Sequence, residues 1–183
     1  KWPNCIVIAD EIYDGLDFTG EHRSVASLSP DVPVFVLNGV SKVYYAPGWR
    51  IGYLGIHDPK GRLVSIRDGI ERLLRSRLCA STPAQMGYLA GLDGDRSWMK
   101  SYSDKIKRQR DLCVKRINSI EGLEVQSSGG AFYMFIKLTD EQWQQNDKDF
   151  VLKLLHEEHV LVVHGSGFSP DLGGGHFRLV YLP

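Results

Sequence analysis

Asn38-Gly39-Val40-Ser41-Lys42-Val43-Tyr44-Tyr45-Ala46-Pro47-Gly48-Trp49-Arg50-Ile51-Gly52-Tyr53 decides how the chain is read. An apolar run, Val32-Pro33-Val34-Phe35-Val36-Leu37-Asn38, leads into it and ends at a lysine. An arginine follows eight positions after Lys42, across a Pro-Gly turn, and opens a second run, Arg50 to Ile56. Upstream, Cys5-Ile6-Val7-Ile8-Ala9 is a third run, closed by Asp10-Glu11-Ile12-Tyr13. Continuous β-branched runs bounded by turn residues suit strands buried on both faces, as in a parallel sheet. The polar clusters Asp10/Tyr13 and Ser41/Lys42 then fall just past the carboxyl ends of two strands, where open α/β sheets bind ligands.

Outward from these strands, Arg62 to about Cys79 carries Leu63, Ile66, Ile70, Leu73, Leu74 and Leu78 on one helical stripe. Ser81-Thr82-Pro83 predicts an N-cap with proline in the first turn of a helix to about Leu92. Asp93-Gly94-Asp95 breaks the chain and divides it into 1–93 and 94–183. The second part reads as α-β-β-α-β-β, a small α/β domain. It has a long helix from Trp98 to Ile120 and strands at Leu123–Gln126 and Ala131–Leu138. A helix over Lys148–Glu158 precedes strands at Val160–Val163 and His176–Leu182. Gly165 to Gly175 is expected to be a mobile Gly-rich loop.

Bulk properties narrow the function classes. Lys+Arg and Asp+Glu both count 22 in 183 residues, so the net charge is zero and favours neither nucleic acid nor an anionic membrane. No apolar run approaches the roughly 20 residues of a membrane span. Cys5, Cys79 and Cys113 are odd in number and widely spaced, which argues for free thiols in a reducing cytoplasm. The start, Lys1-Trp2-Pro3-Asn4, enters a strand-like run at once and has neither a signal peptide nor an initiating Met, so the chain is expected to be cut from something longer. His156-Glu157-Glu158-His159 lacks a third ligand and predicts no metal site. Lys105 to Arg110 reads as a solvated basic helix face. Gly173-Gly174-Gly175 lacks the strand-then-helix context of a dinucleotide loop. Trp98, Trp143, Tyr133 and Phe135 are expected to serve packing, with facing the substrate as the alternative for Tyr133.

One amine, one carboxylate, one phenol and one guanidinium at strand ends suit an aromatic aldehyde that carries a phosphate, the chemistry of pyridoxal 5'-phosphate. Lys42 can form a Schiff base as the neutral amine. Asp10 can keep a pyridinium nitrogen protonated. Tyr13 can donate to a ring oxygen, and Arg50 presents a planar fork that matches a phosphate. Taken singly, each residue has a plainer reading: a solvated lysine, a helix N-terminal acid pair, a structural arginine.

In order and spacing, these residues resemble the class I/II aminotransferase family of fold-type-I pyridoxal-phosphate enzymes. Asp10-x-x-Tyr13 is similar to the family's pyridine-nitrogen aspartate and phenolic-oxygen tyrosine. Ser41-Lys42 with Pro47 to Tyr53 resembles the Schiff-base (aldimine) lysine and phosphate-binding arginine. Phe177-Arg178-Leu179 resembles the arginine that grips the substrate carboxylate, and Gly129-Gly130-Ala131-Phe132-Tyr133 the turn before a substrate-facing strand. The resemblance runs over essentially the whole chain but covers only the family's C-terminal half. It implies the end of a mostly parallel-sheet, cofactor-binding large domain at 1–93 and a small α/β domain at 94–183. The family's phosphate-binding amide turn, ring-stacking aromatic and closing helix would then lie outside these residues, and the isolated chain is expected to be inactive.

Many members carry serine where Gly39 stands, as an extra phosphate ligand. Asn38 to Lys42 is similar to the alanine-aminotransferase-like branch, which points to alanine, pyruvate and glutamate. The family implies a cytoplasmic homodimer. A pyridoxal-phosphate carbon–sulfur lyase, and an aminotransferase-like sensor domain of a transcription regulator, are the competing readings.

Overall fold

The structure, a computed structural model, describes residues 5–28 and 30–182; the reading placed on Lys1–Asn4 lies outside them. The chain forms two compact units, Lys1–Lys100 and Ser101–Pro183.

In the first unit, β1 (Val7–Asp10) is followed by a 3-10 turn at Asp14–Leu16 and the short helix α1 (Val25–Leu28). β2 (Val34–Gly39), a 3-10 turn at Pro47–Trp49 and β3 (Gly52–His57) come next, then helices α2 (Val64–Arg77) and α3 (Thr82–Asp93). The sheet order is β1-β2-β3. β1 and β2 are parallel, while β3 returns antiparallel to β2. Only β2 meets the expectation of burial, with Val34 and Phe35 inside. β1 and β3 are edge strands, where a neighbour on one side covers less of each side chain, and Ile8 stays 69% exposed. The stripe on α2 also departs from expectation. None of the residues of α2 is buried, and no described element packs broadly on it. Ser81 stands at the N-cap of α3 as expected, but its side chain makes no capping bond.

α4 (Ser97–Ile117) leads into the second unit, which continues through β4 (Leu123–Glu124), β5 (Tyr133–Leu138), α5 (Glu141–Gln144), α6 (Asp147–Glu158), β6 (Val163–His164) and β7 (His176–Val180). Its sheet has the order β4-β5-β7-β6 and is antiparallel throughout. Such a sheet buries one face and leaves the other open. Met134, Ile136 and Leu138 of β5 point inward with Phe177 of β7, and Phe135 and Lys137 point out. Ile106, Arg110 and Ile117 form the buried stripe of α4. The strand expected at Val160–Val163 shrinks to Val163–His164, because His159 ends α6 in the left-handed conformation (φ 57°) and the ladder begins only after the chain has turned back.

Candidate active site

In the first unit, β1 and β2 run side by side, with Asp10 opposite Leu37. Asp10 lies exposed at the tip of β1, and its Oδ1 accepts from the Ile12 N–H at 3.2 Å. Glu11 follows the plainer reading of the acid pair, as a helix N-terminal group. Its Oε1 accepts from Ser24 Oγ at 3.0 Å and from the Val25 N–H at 2.8 Å, which caps the start of α1. Tyr13 precedes the Asp14–Leu16 turn. Lys42 sits in the turn after β2, half-buried, with its Nζ 5.8 Å from the centre of the Tyr13 ring. That distance is within cation–π range and brings two of the expected residues together. Ser41 is half-buried beside it. Arg50 is exposed and left-handed (φ 52°), and its Nη1 donates to the Pro47 carbonyl at 2.8 Å, so here it folds back on its own turn.

Glycines lock the lysine segment in place. A Cβ on Gly39 would lie 2.7 Å from the Ile51 carbonyl oxygen, and one on Gly52 would lie 2.5 Å from that of Asn38. The two strands therefore approach too closely for a serine at position 39. On α3, Gly87 and Gly91 receive the rings of Trp49 and Tyr44, again closer than a side chain would allow. Tyr44 also donates to the Gly91 carbonyl at 3.2 Å.

Next to this segment lies a cleft of about 270 Å³, lined by Asp14, Asn38, Tyr44, Tyr53, Tyr88 and Arg96 among others. Asn38 donates to Asp14 at 2.8 Å. Tyr88 meets Tyr44 edge-on at 5.6 Å and stacks on Tyr53 at 6.3 Å. Loss of solvent, with the neighbouring phenols and Asp14, pushes the Tyr88 hydroxyl up to about 12. Burial likewise raises that of Tyr53. Asp17, a few residues after Tyr13, is lowered to about 2, because Thr19 Oγ and the backbone N–H groups of Thr19, Glu21 and His22 all donate to it. It knots the loop that follows the site.

In the second unit, Arg178 sits in β7 opposite Phe135 of β5. Its guanidinium carbon lies 4.7 Å from the Tyr133 ring centre and 4.6 Å from that of Phe168. Its Nε is buried without a hydrogen-bond partner. Tyr133, Phe135, His176 and Arg178 line one cleft of about 530 Å³ on the open face of the sheet. The Gly129-Gly130 turn before β5 is held by buried Arg110, which donates to the Ser128 carbonyl, and by Tyr181, whose hydroxyl donates to the Ala131 carbonyl at 3.0 Å.

The loop between β6 and β7, expected to be mobile, has closely packed glycines. Gly165, Gly173 and Gly175 are buried. A Cβ on Gly165 would lie 2.2 Å from the Gly173 carbonyl oxygen, and one on Gly173 would lie 2.0 Å from that of Gly165. Here glycine marks close packing. The buried Asp147 carboxylate also ties the loop down, accepting from the Ser166 N–H at 2.7 Å and from its Oγ–H at 2.8 Å. Burial pushes the Asp147 carboxyl up, but the Ser166 bonds outweigh it and hold it below the usual range. Tyr133 and Phe135 line the cleft, which departs from the packing role expected for Phe135 and agrees with the outward-facing alternative for Tyr133. Phe168 and Asp147 were not among the expected site residues.

Among the described residues no group of three or more His, Cys, Asp or Glu could hold a metal ion, and no helix is long and apolar enough to cross a membrane.

Residues 1–183 match the sequence profile of "Aminotransferase class I and II". The chain is 37% identical to the glutamate-pyruvate aminotransferase AlaA of Haemophilus influenzae, over 98% of this chain and 45% of that protein. It is 37% identical to the alanine aminotransferase of Mycobacterium bovis, over 97% and 42%. Among solved structures, an alanine aminotransferase from Pyrococcus furiosus superposes with a TM-score of 0.91 at 52% identity, covering 96% of this chain and 44% of that one. The chain thus spans a little under half the length of the relatives it matches.

Proposed function

Because the chain belongs to the class I and II aminotransferase family, we propose that the whole protein moves an amino group between an amino acid, alanine by preference, and a 2-oxo acid, with pyridoxal 5'-phosphate as cofactor and as a cytoplasmic homodimer. The observation that carries this reading is the meeting of Lys42 and Tyr13 past the carboxyl ends of two parallel strands, with Asp10 at the tip of the first. The names of the relatives support the preference for alanine. We assign 1–93 to the cofactor-binding domain and 94–183 to the small domain.

The donor set fits the cofactor. Lys42 would hold its aldehyde, Asp10 its ring nitrogen and Tyr13 its ring oxygen. Ser41 and Arg50 would hold its phosphate, and Arg50 would exchange the neutral Pro47 carbonyl for an anion. When bound, the cofactor supplies an electron sink that makes the α-hydrogen of the amino acid removable. Lys42 takes that proton as general base and returns it as general acid. Arg178 receives the substrate carboxylate on its planar edge, which positions the bond to be broken.

The test is made on the protein expressed from its complete reading frame. After loading with pyridoxal phosphate and reduction with borohydride, the label is expected on Lys42. Pyruvate beyond one equivalent per cofactor is expected from alanine only when a 2-oxo acid acceptor is present. Lys42→Ala is expected to lower turnover by about 10²–10⁴-fold. With cysteine, whose β-sulfur can leave, pyruvate, ammonia and sulfide released without an acceptor would replace transfer with elimination and overturn the reading.

A further inference from the structure

We propose that Tyr133 and Phe168 form an aromatic clamp that presents the edge of the Arg178 guanidinium to a carboxylate, with Phe168 as a positioning residue for substrate binding. The inference rests on the amino-transfer reading and deepens it at the Arg178 site.

Phe168 lies in a loop but is not a core residue, since 52% of its surface remains exposed. Its ring meets the Arg178 guanidinium at 4.6 Å and Phe135 edge-on at 6.1 Å. Tyr133 supplies a second ring at 4.7 Å. Rings over a guanidinium occupy its π surface and leave its N–H edges as the donors in play. One of those edges carries Nε, which is buried and has no partner. An unsatisfied buried donor is costly unless a ligand completes it. A carboxylate completes it with two parallel N–H···O bonds.

The loop is built to keep Phe168 there. Asp147 holds Ser166 through two hydrogen bonds, and the Phe168 N–H donates to the Gly165 carbonyl at 2.9 Å. Gly165 and Gly173 meet back to back, which leaves the loop no room to slide. A receptor held before the ligand arrives loses less on binding.

The experiment uses the full-length holoenzyme and the variants Phe168→Leu, Phe168→Tyr and Tyr133→Leu, each checked for an unchanged melting temperature. Steady-state kinetics with alanine and with a 2-oxo acid acceptor are combined with calorimetric binding of propionate, which carries the carboxylate without the amine. Phe168→Leu is expected to raise both KM values and the propionate Kd together, by about tenfold, equivalent to about 1.4 kcal/mol. Turnover number should stay within about threefold, because the clamp acts through Arg178 and not on the moving proton. Phe168→Tyr, which keeps the ring, is expected to restore the wild-type values. Tyr133→Leu is expected to weaken propionate in the same direction. Unchanged KM and propionate Kd in Phe168→Leu, or a Tyr variant no better than the Leu variant, overturns the clamp. A wild-type protein that binds propionate but transfers no amino group overturns the proposed activity instead, and the propionate series still decides the clamp. A wild type that does neither overturns both.

Discussion

Tyr88 is a half-buried phenol in a cleft with two others, and its surroundings favour the neutral form. Its hydroxyl titrates near 10 in the unfolded chain and at about 12 when folded. Its contribution to stability is therefore whole below about pH 10 and is lost as pH rises towards 12, because the unfolded chain releases the proton first. Tyr88→Phe removes this titration, so the variant is expected to lose less stability between about pH 10 and 12; melting temperatures in that interval against the wild type measure it. The same scale shows what could be read from residue types. The placement of Lys42, Tyr13 and Asp10 past strand ends was legible because each follows an apolar run, and position along a strand survives folding. Phe168 was not legible as a partner of Arg178. It stands ten positions earlier in a loop without periodicity, and only the antiparallel return of the chain brings its ring over the guanidinium.

The strands of the first sheet follow their sequence reading where two neighbours flank them, and depart from it where only one does. The run that became β2 is buried at Val34 and Phe35 as its composition suggests, though Leu37 is 39% exposed, while β1 and β3 lie more open at the sheet edges. The stripe on α2 carries the period of a core-facing helix, yet Leu73 and Leu78 are 72% and 84% exposed. Periodicity reports which side of a helix is apolar, not what covers it. Glycine misleads in another way. Gly173 and Gly175 suggested freedom, but they serve close approach between backbones. Gly39 follows the same logic, so its meaning extends beyond the absence of a phosphate ligand. Gly39→Ser would force its Cβ to within 2.7 Å of the Ile51 carbonyl oxygen. The substitution is expected to destabilise the first unit by about 1–3 kcal/mol, as overpacking does elsewhere, with urea unfolding as the measurement. A Gly39→Ser variant as stable as the wild type would mean that the β2–β3 pairing relaxes without cost.

At the scale of the molecule, these 183 residues leave large apolar side chains open, among them Ile8, Val64, Leu73 and Leu78. Surfaces of this kind mark places that another protein surface covers. Asp10 and Arg50 are exposed in the same chain, so the charges proposed to grip a cofactor stand in water, where ionic contacts are weak. The isolated 183 residues are therefore expected to enhance the fluorescence of a hydrophobic dye, to elute with a concentration-dependent size and to show no amino transfer. Measurable turnover by this chain alone would overturn that expectation. The second sheet has a further consequence. Its order, β4-β5-β7-β6, places between β5 and β6 a strand that follows both in the chain. On a translating ribosome, β5 and β6 therefore wait without a common partner until residues 176–180 have cleared the exit tunnel. Until then the hydrogen-bonding edge of β5 is bare, which makes this stretch of synthesis the interval in which a chaperone has most to shield.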